Sequence, residues 1–166
     1  MTGKKYDAYV RPFRNRPERV RKLKLLDTLL TASGYIIYPL ILIFLIIKKD
    51  RRLKSFLLIP AVGFALVSLF RKKIDLPRPY EDPEIRTLSK REKKGQSFPS
   101  RHVYSYFVIA VLLTALFPLP GLMMLVLGGL LAWVRVVLGV HYPRDVAAGG
   151  ILGLLTGLLA IMAIKR

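Results

Sequence analysis

Residues 28–47 read TLLTASGYIIYPLILIFLII. These twenty residues carry no charge. At about 1.5 Å per residue they make a helix of about 30 Å, the thickness of a bilayer's hydrocarbon core. Four further apolar blocks follow, at roughly Leu53–Phe70, His102–Phe117, Gly121–Leu138 and Val146–Ile164. The third is short and borrows length from its flanks. The pattern predicts an all-α, multi-pass transmembrane helical bundle of about five spans over residues 28–166, preceded by a basic N-terminal segment, 1–27. Few charges interrupt the spans. Arg135 is the exception, and an ionisable group inside a span is a functional candidate by default.

The chain has 166 residues, 53% of them hydrophobic, yet a formal net charge of +18. Its charges cluster between the apolar blocks, as in a membrane protein. So large a positive charge asks for an anionic partner. The spans favour anionic lipid or phosphate over nucleic acid, which needs no membrane-length stretches. Cysteine is absent, which excludes disulfides and thiolate metal sites, and two histidines alone leave a zinc site short of ligands. Residues 1–27 lack the apolar core and cleavage site of a signal peptide, so the first span is expected to act as an uncleaved insertion signal. Nine Lys or Arg precede residue 28, and Val20, Leu23 and Leu26 recur among them every three residues. That spacing predicts an interfacial helix on anionic lipid. For residues 1–16 a solvated basic tail reads equally well.

Lys48–Arg52 and Pro118–Pro120 are short connections, whereas Arg71–Arg101 is long, basic and rich in proline and glycine. Alternating spans put the N-terminal segment, this long loop and the Gly139–Asp145 loop on one face. In the last span Gly149, Gly153 and Gly157 fall every four residues, a stripe suited to close helix packing.

Three segments on that face carry chemistry: Arg71-Lys72-Lys73-Ile74-Asp75-Leu76-Pro77-Arg78-Pro79, Ser97-Phe98-Pro99-Ser100-Arg101-His102, and Arg135 through Asp145. Phosphoryl transfer needs positive charge around three oxygens, an in-line nucleophile and an acid for the leaving oxygen. Arginine's planar fork can hold two oxygens. Arg78 and Arg135 supply two forks from different spans, with Arg71 or Lys72 as a third cation. Ser100 and His102 sit where the third span begins, and a helix N-terminus offers free N–H groups to phosphate. Pro143 suits the first turn of the last helix. Asp145 then lies in that turn, where its carboxylate reaches one ring nitrogen of His141 and leaves the other free to attack phosphorus. Taken singly, each feature has a plainer reading: an interface histidine, a topology signal, a helix stop. Both histidines of the chain on one face, each with arginine nearby, favour a site.

These segments resemble the type 2 phosphatidic acid phosphatase family, integral-membrane relatives of the vanadium haloperoxidases. Its pattern is Lys-x6-Arg-Pro, Pro-Ser-Gly-His and Ser-Arg-x5-His-x3-Asp. Arg71 and Arg78-Pro79 match the first with arginine for lysine, and Lys72 lies one residue off register. Pro99-Ser100-Arg101-His102 matches the second with arginine for glycine. Arg135, His141 and Asp145 match the third, with Val134 for serine. The resemblance covers about residues 53–164. It implies a metal-independent membrane lipid phosphatase with no cofactor. His141 would attack phosphorus and form a phosphohistidine, Asp145 would orient it, and His102 would protonate the leaving oxygen. Arg71, Arg78, Ser100 and Arg135 would hold the phosphate, with Lys72 sharing the place of Arg71 and Arg101 adding a cation. The family core has six spans, and the basic segment stands in place of the first.

A site at the membrane edge suits a lipid phosphate whose tail stays in the bilayer. A polyprenyl diphosphate such as undecaprenyl diphosphate, phosphatidic acid and phosphatidylglycerophosphate all qualify. The competing class is a non-catalytic lipid-phosphate binder or transporter on the same scaffold, motivated by the departures at 101 and 134. The spans argue against a vanadium peroxidase. A positive-inside count places the site face in the cytoplasm, whereas the resemblance implies an outer or luminal site.

Overall fold

The computed structural model describes residues 2–89 and 94–164. Its elements are α1 (Gly3–Arg14), α2 (Pro17–Ile47), α3 (Leu53–Ile74), a 3-10 turn at Pro79–Glu81, α4 (Arg101–Leu116), α5 (Pro118–Val137) and α6 (Pro143–Met162). Among the described residues there is no strand. The protein is a multi-pass, all-α membrane bundle. α2, α3, α5 and α6 are long and apolar enough to cross a bilayer, and the apolar α4 is shorter. Large apolar side chains such as Ile36, Ile47, Leu66, Val126 and Leu155 point outward, where lipid replaces water as the solvent.

α4 is the centre of the bundle. Val103, Tyr104, Tyr106, Val108, Ile109, Ala110, Val111 and Leu112 are all buried, so both faces of the helix meet protein. A helix apolar all round is stable where every side is covered. The glycine stripe makes that possible. A Cβ on Gly149, Gly153 or Gly157 would strike the Ser100 carbonyl, the Tyr104 carbonyl or the Val111 side chain. α6 therefore lies backbone-close along α4, and its first turn is drawn to the start of α4, where Ser100 N donates to the Asp145 carbonyl at 2.8 Å.

Two boundaries differ from expectation. The segment 1–27 is not one unit: Pro17 opens α2 as its first helical residue, and the helix runs on without interruption through the first span. No glycine or proline lies between Glu18 and Ser33 to break it, so the basic stretch and the span are a single 31-residue helix. Pro118–Pro120 is not a loop but the first turn of α5, and Phe117 alone caps both α4 and α5. Residues 3–14 form a helix rather than a tail. Tyr6 and Val10 of α1 pack with Leu23, Ile85, Val134 and Val137, so its apolar face is docked on protein while Lys4, Lys5 and Arg11 stay exposed.

Candidate active site

The long loop is pinned before any site residue is considered. Asp75 ends α3 in a left-handed turn (φ 44°), and its Oδ1 accepts the Gln96 N–H at 3.0 Å. The Leu76 carbonyl accepts Ser97 N at 2.9 Å, and the Glu81 carboxylate accepts both Arg78 N and Gly95 N. The two ends of the loop thus run back against each other. This brings Arg78 and the Ser97–His102 segment to the same place.

Arg71 faces inward from the last turn of α3 and is buried. Its guanidinium donates to the carbonyls of Gln96, Ser97 and Pro99, so it clamps the turn that leads into α4. Lys72, one residue on, points outward and is exposed. Arg78 is buried, donates from Nε to the Gly95 carbonyl at 2.9 Å and lies over the Tyr80 ring. Ser100 precedes the first residue of α4. Its Oγ is buried and has no hydrogen-bond partner among the described residues. A buried hydroxyl without a partner is costly, and an oxyanion at this point would satisfy it.

His141 occupies the short α5–α6 connection, which Gly139 turns with a φ of 72°. The imidazole is 2% exposed. Nδ1 faces Asp145 Oδ2 at 3.6 Å and Ser97 Oγ at 3.5 Å. The same Oδ2 accepts Ser97 Oγ at 2.5 Å and the Tyr142 N–H at 3.0 Å, so the carboxylate is fixed from two sides. Burial pushes the His141 pKa down to about 4, with the charges of Arg78 and Arg135 acting in the same direction and Asp145 opposing them. The ring is therefore neutral at pH 7, with Nδ1 turned to the carboxylate and Nε2 available as a nucleophile.

Arg135 is the innermost cation, 2% exposed. Its Nε pairs with Asp27 Oδ1 at 3.0 Å and its Nη2 donates to Thr31 Oγ1 at 2.9 Å. Both partners lie on α2, one turn apart. His102 is half-buried in the first turn of α4 and, with Arg101, lines a cavity of about 410 Å³ that also meets Thr31, Tyr35, Tyr38 and Phe64. Thr31 belongs both to that wall and to the Arg135 contact, so the cavity, walled by α2, α3 and α4, borders the arginine-and-histidine cluster. The structure thus gathers His141, Asp145, Ser100, Arg71, Arg78 and Arg135 about one point. It sets His102 and Arg101 at the border with the cavity and leaves Lys72 outside. Ser97, Asp27 and Thr31 were not assigned from the sequence. Ser97 lies within a quoted motif, whereas Asp27 could have been noticed as a lone carboxylate at the start of an apolar span.

Residues 52–166 match the PAP2 superfamily, more than half of the chain. The chain belongs to the PAP2 superfamily. Within this family's reach, one curated relative is the bacitracin transport permease protein BcrC of Bacillus licheniformis. It is 40% identical over 76 residues, 46% of this chain and 37% of that protein, so the match spans little more than a third of the relative's length. Two solved structures are similar. Aquifex aeolicus LpxE superposes with a TM-score of 0.71 at 24% identity, over 97% of this chain and 94% of that one. A transmembrane PAP2-type phosphatidylglycerolphosphate phosphatase from Bacillus subtilis gives 0.68 at 26% identity, over 98% and 84%.

Proposed function

We propose that this protein is a membrane lipid phosphatase that works through a phosphohistidine on His141 without a metal. One observation carries the reading: a buried imidazole facing a fixed carboxylate, with two guanidiniums acting on it, in a cluster that borders an apolar cavity. The tail lies in the cavity, and the phosphate reaches Arg78, Arg135 and the Ser100 hydroxyl, with Arg71 holding the turn that presents them. The His141 Nε2 lone pair forms the N–P bond as the P–O bond to the lipid breaks. The departing oxygen takes a proton from His102. Asp145 stabilises the Nδ1–H as charge builds on the ring. Water then attacks the N–P bond, gives its proton to His102 and releases inorganic phosphate. The Bacillus subtilis relative acts on phosphatidylglycerolphosphate, which fits a substrate of this kind.

The name of BcrC favours a transport reading. A transporter or binder gains from the arginines, but it has no use for an imidazole kept unprotonated by burial and aligned by a carboxylate. The reactions separate the two. Purified protein should release phosphate from a lipid phosphate in EDTA, vanadate should inhibit it, and His141→Ala should abolish release while the protein stays folded. Phosphate release by His141→Ala, or lipid-phosphate binding with no release by the wild type, would overturn the proposal.

A further inference from the structure

We infer that Glu81 is a positioning residue: its carboxylate sets the Arg78 fork at the phosphate, and it does so by the reach of one oxygen, not by its charge. The inference rests on the phosphatase reading for what the fork holds, though not for how the fork is held. Arg78 stands between Pro77 and Pro79, so its N–H is the only backbone donor of the three residues. Proline at 79 also keeps Arg78 extended, at φ −97° and ψ 159°. Glu81 takes both backbone polar groups of Arg78. Its Oε1 accepts the Arg78 N–H at 2.9 Å, and its own N–H donates to the Arg78 carbonyl at 3.0 Å.

The same Oε1 accepts the Gly95 N–H at 2.8 Å, across the mouth of the long loop. Gly95 in turn offers its carbonyl to Arg78 Nε at 2.9 Å. These contacts close a ring that runs from the Arg78 N–H to Glu81, on to Gly95, and back to the Arg78 side chain. One oxygen therefore fixes both the root of that side chain and the acceptor that aims its head. Gly95 sits at a φ of 63°, and a Cβ there would strike the Asp75 carboxylate, so the ring needs glycine at this place. Arg78 is 7% exposed, and its charge acts on His141.

A guanidinium on a long chain loses rotamer freedom when it grips an oxyanion, and fixing it beforehand removes that cost. The gain is largest where charge on the oxygens is greatest, in the five-coordinate transition state, because a preset fork needs no rearrangement there. The charge of Glu81 works against this task, since a carboxylate competes with phosphate for the same guanidinium. What the task needs is an oxygen at the right distance that accepts two N–H groups. A glutamine amide oxygen lies equally far along its side chain and can accept the same pair. Aspartate keeps the charge but falls one methylene short.

The test measures binding of orthovanadate to the purified full chain in detergent by calorimetry, which needs no turnover. Glu81→Gln should stay within about 3-fold of wild type, whereas Glu81→Asp and Glu81→Ala should bind about 10- to 100-fold more weakly, the loss of contacts that align a charged group. In an Arg78→Ala background the Glu81→Ala step should cost less than about 3-fold, because the fork it sets is gone. The kcat/KM for phosphate release from phosphatidic acid should follow the same order. Aspartate near wild type with glutamine as weak as alanine would assign the effect to charge. Equal losses from Glu81→Ala with and without Arg78 would reduce it to loop stability, and unchanged binding in Glu81→Ala would remove it. Each of these results overturns the role of Glu81 and leaves the phosphatase reading intact. Wild type that binds vanadate but releases no phosphate would instead strike the phosphatase reading alone.

Discussion

Asp145 Oδ2 takes donors from Ser97 and Tyr142 while facing the His141 ring. Of these, only the Ser97 hydroxyl can be removed without touching the backbone or the nucleophile. Ser97→Ala leaves the carboxylate with one donor fewer and freer to rotate. A hydrogen bond to a charged group is worth about 1.5–3 kcal/mol, so kcat should fall about 10- to 100-fold with KM little changed. Steady-state kinetics on Ser97→Ala and Ser97→Thr checks this, threonine keeping part of the rate. Titration of His141 gives a second expectation. Its folded pKa of about 4 lies below the ordinary value of 6.5, so the unfolded chain binds the proton more readily. The neutral ring's stability is complete above about pH 6.5 and is lost as pH falls from there through about 4. Thermal unfolding across that window should decline more steeply in wild type than in His141→Gln, and the nucleophile should stay competent well below neutral pH. Motif spacing made His141, Asp145 and Arg78 legible because each is fixed by short-range chain geometry. Ser97 is bound to Asp145 across 48 residues, and no local pattern announces such a pair.

At the scale of the helix, the tie between α2 and α5 is the least anticipated feature. Asp27 and Thr31 on α2 hold Arg135 on α5, and the side chains of Asp27 and Arg135 are 6% and 2% exposed. The sequence shows Asp27 only as the last carboxylate before a span. Pairing between helices follows from packing, which has no fixed sequence separation. Removing one partner of a buried ion pair costs about 3–5 kcal/mol, because the other charge stays behind without water. Asp27→Asn should therefore lower the unfolding midpoint in detergent sharply and weaken phosphate or vanadate inhibition, since the Arg135 fork loses its alignment. An Asp27→Asn protein as stable as wild type, with unchanged vanadate inhibition, would mean that the pair contributes nothing. α1 offers a milder case. The Tyr6 hydroxyl donates to the Val137 carbonyl at 2.7 Å, next to the loop that carries His141, and burial raises its pKa to about 12. Tyr6→Phe should cost about 1 kcal/mol in denaturant unfolding, one net hydrogen bond, and leave turnover within a few-fold.

For the molecule as a whole, five apolar helices follow from hydropathy alone, and the structure forms all five, four of them long enough to cross a bilayer and α4 shorter. Hydropathy could not show that α4 is the most enclosed of the helices and that with α2 and α3 it walls a cavity. A buried helix and a lipid-facing one read alike as apolar runs, and only three-dimensional packing sorts them. That sorting gives the protein its shape: a polar cluster capped by loops, with an apolar recess beside it. If the recess holds the tail, filling it should penalise substrates in proportion to their chains. Ala61 lines it from α3. Ala61→Trp displaces at least two methylenes of the tail, each worth about 0.8 kcal/mol, so the ratio of kcat/KM for a long-chain over a short-chain lipid phosphate should fall about 10-fold. Equal effects on both chain lengths would place the tail elsewhere, along the outer face of the bundle, and leave the cavity without its proposed occupant.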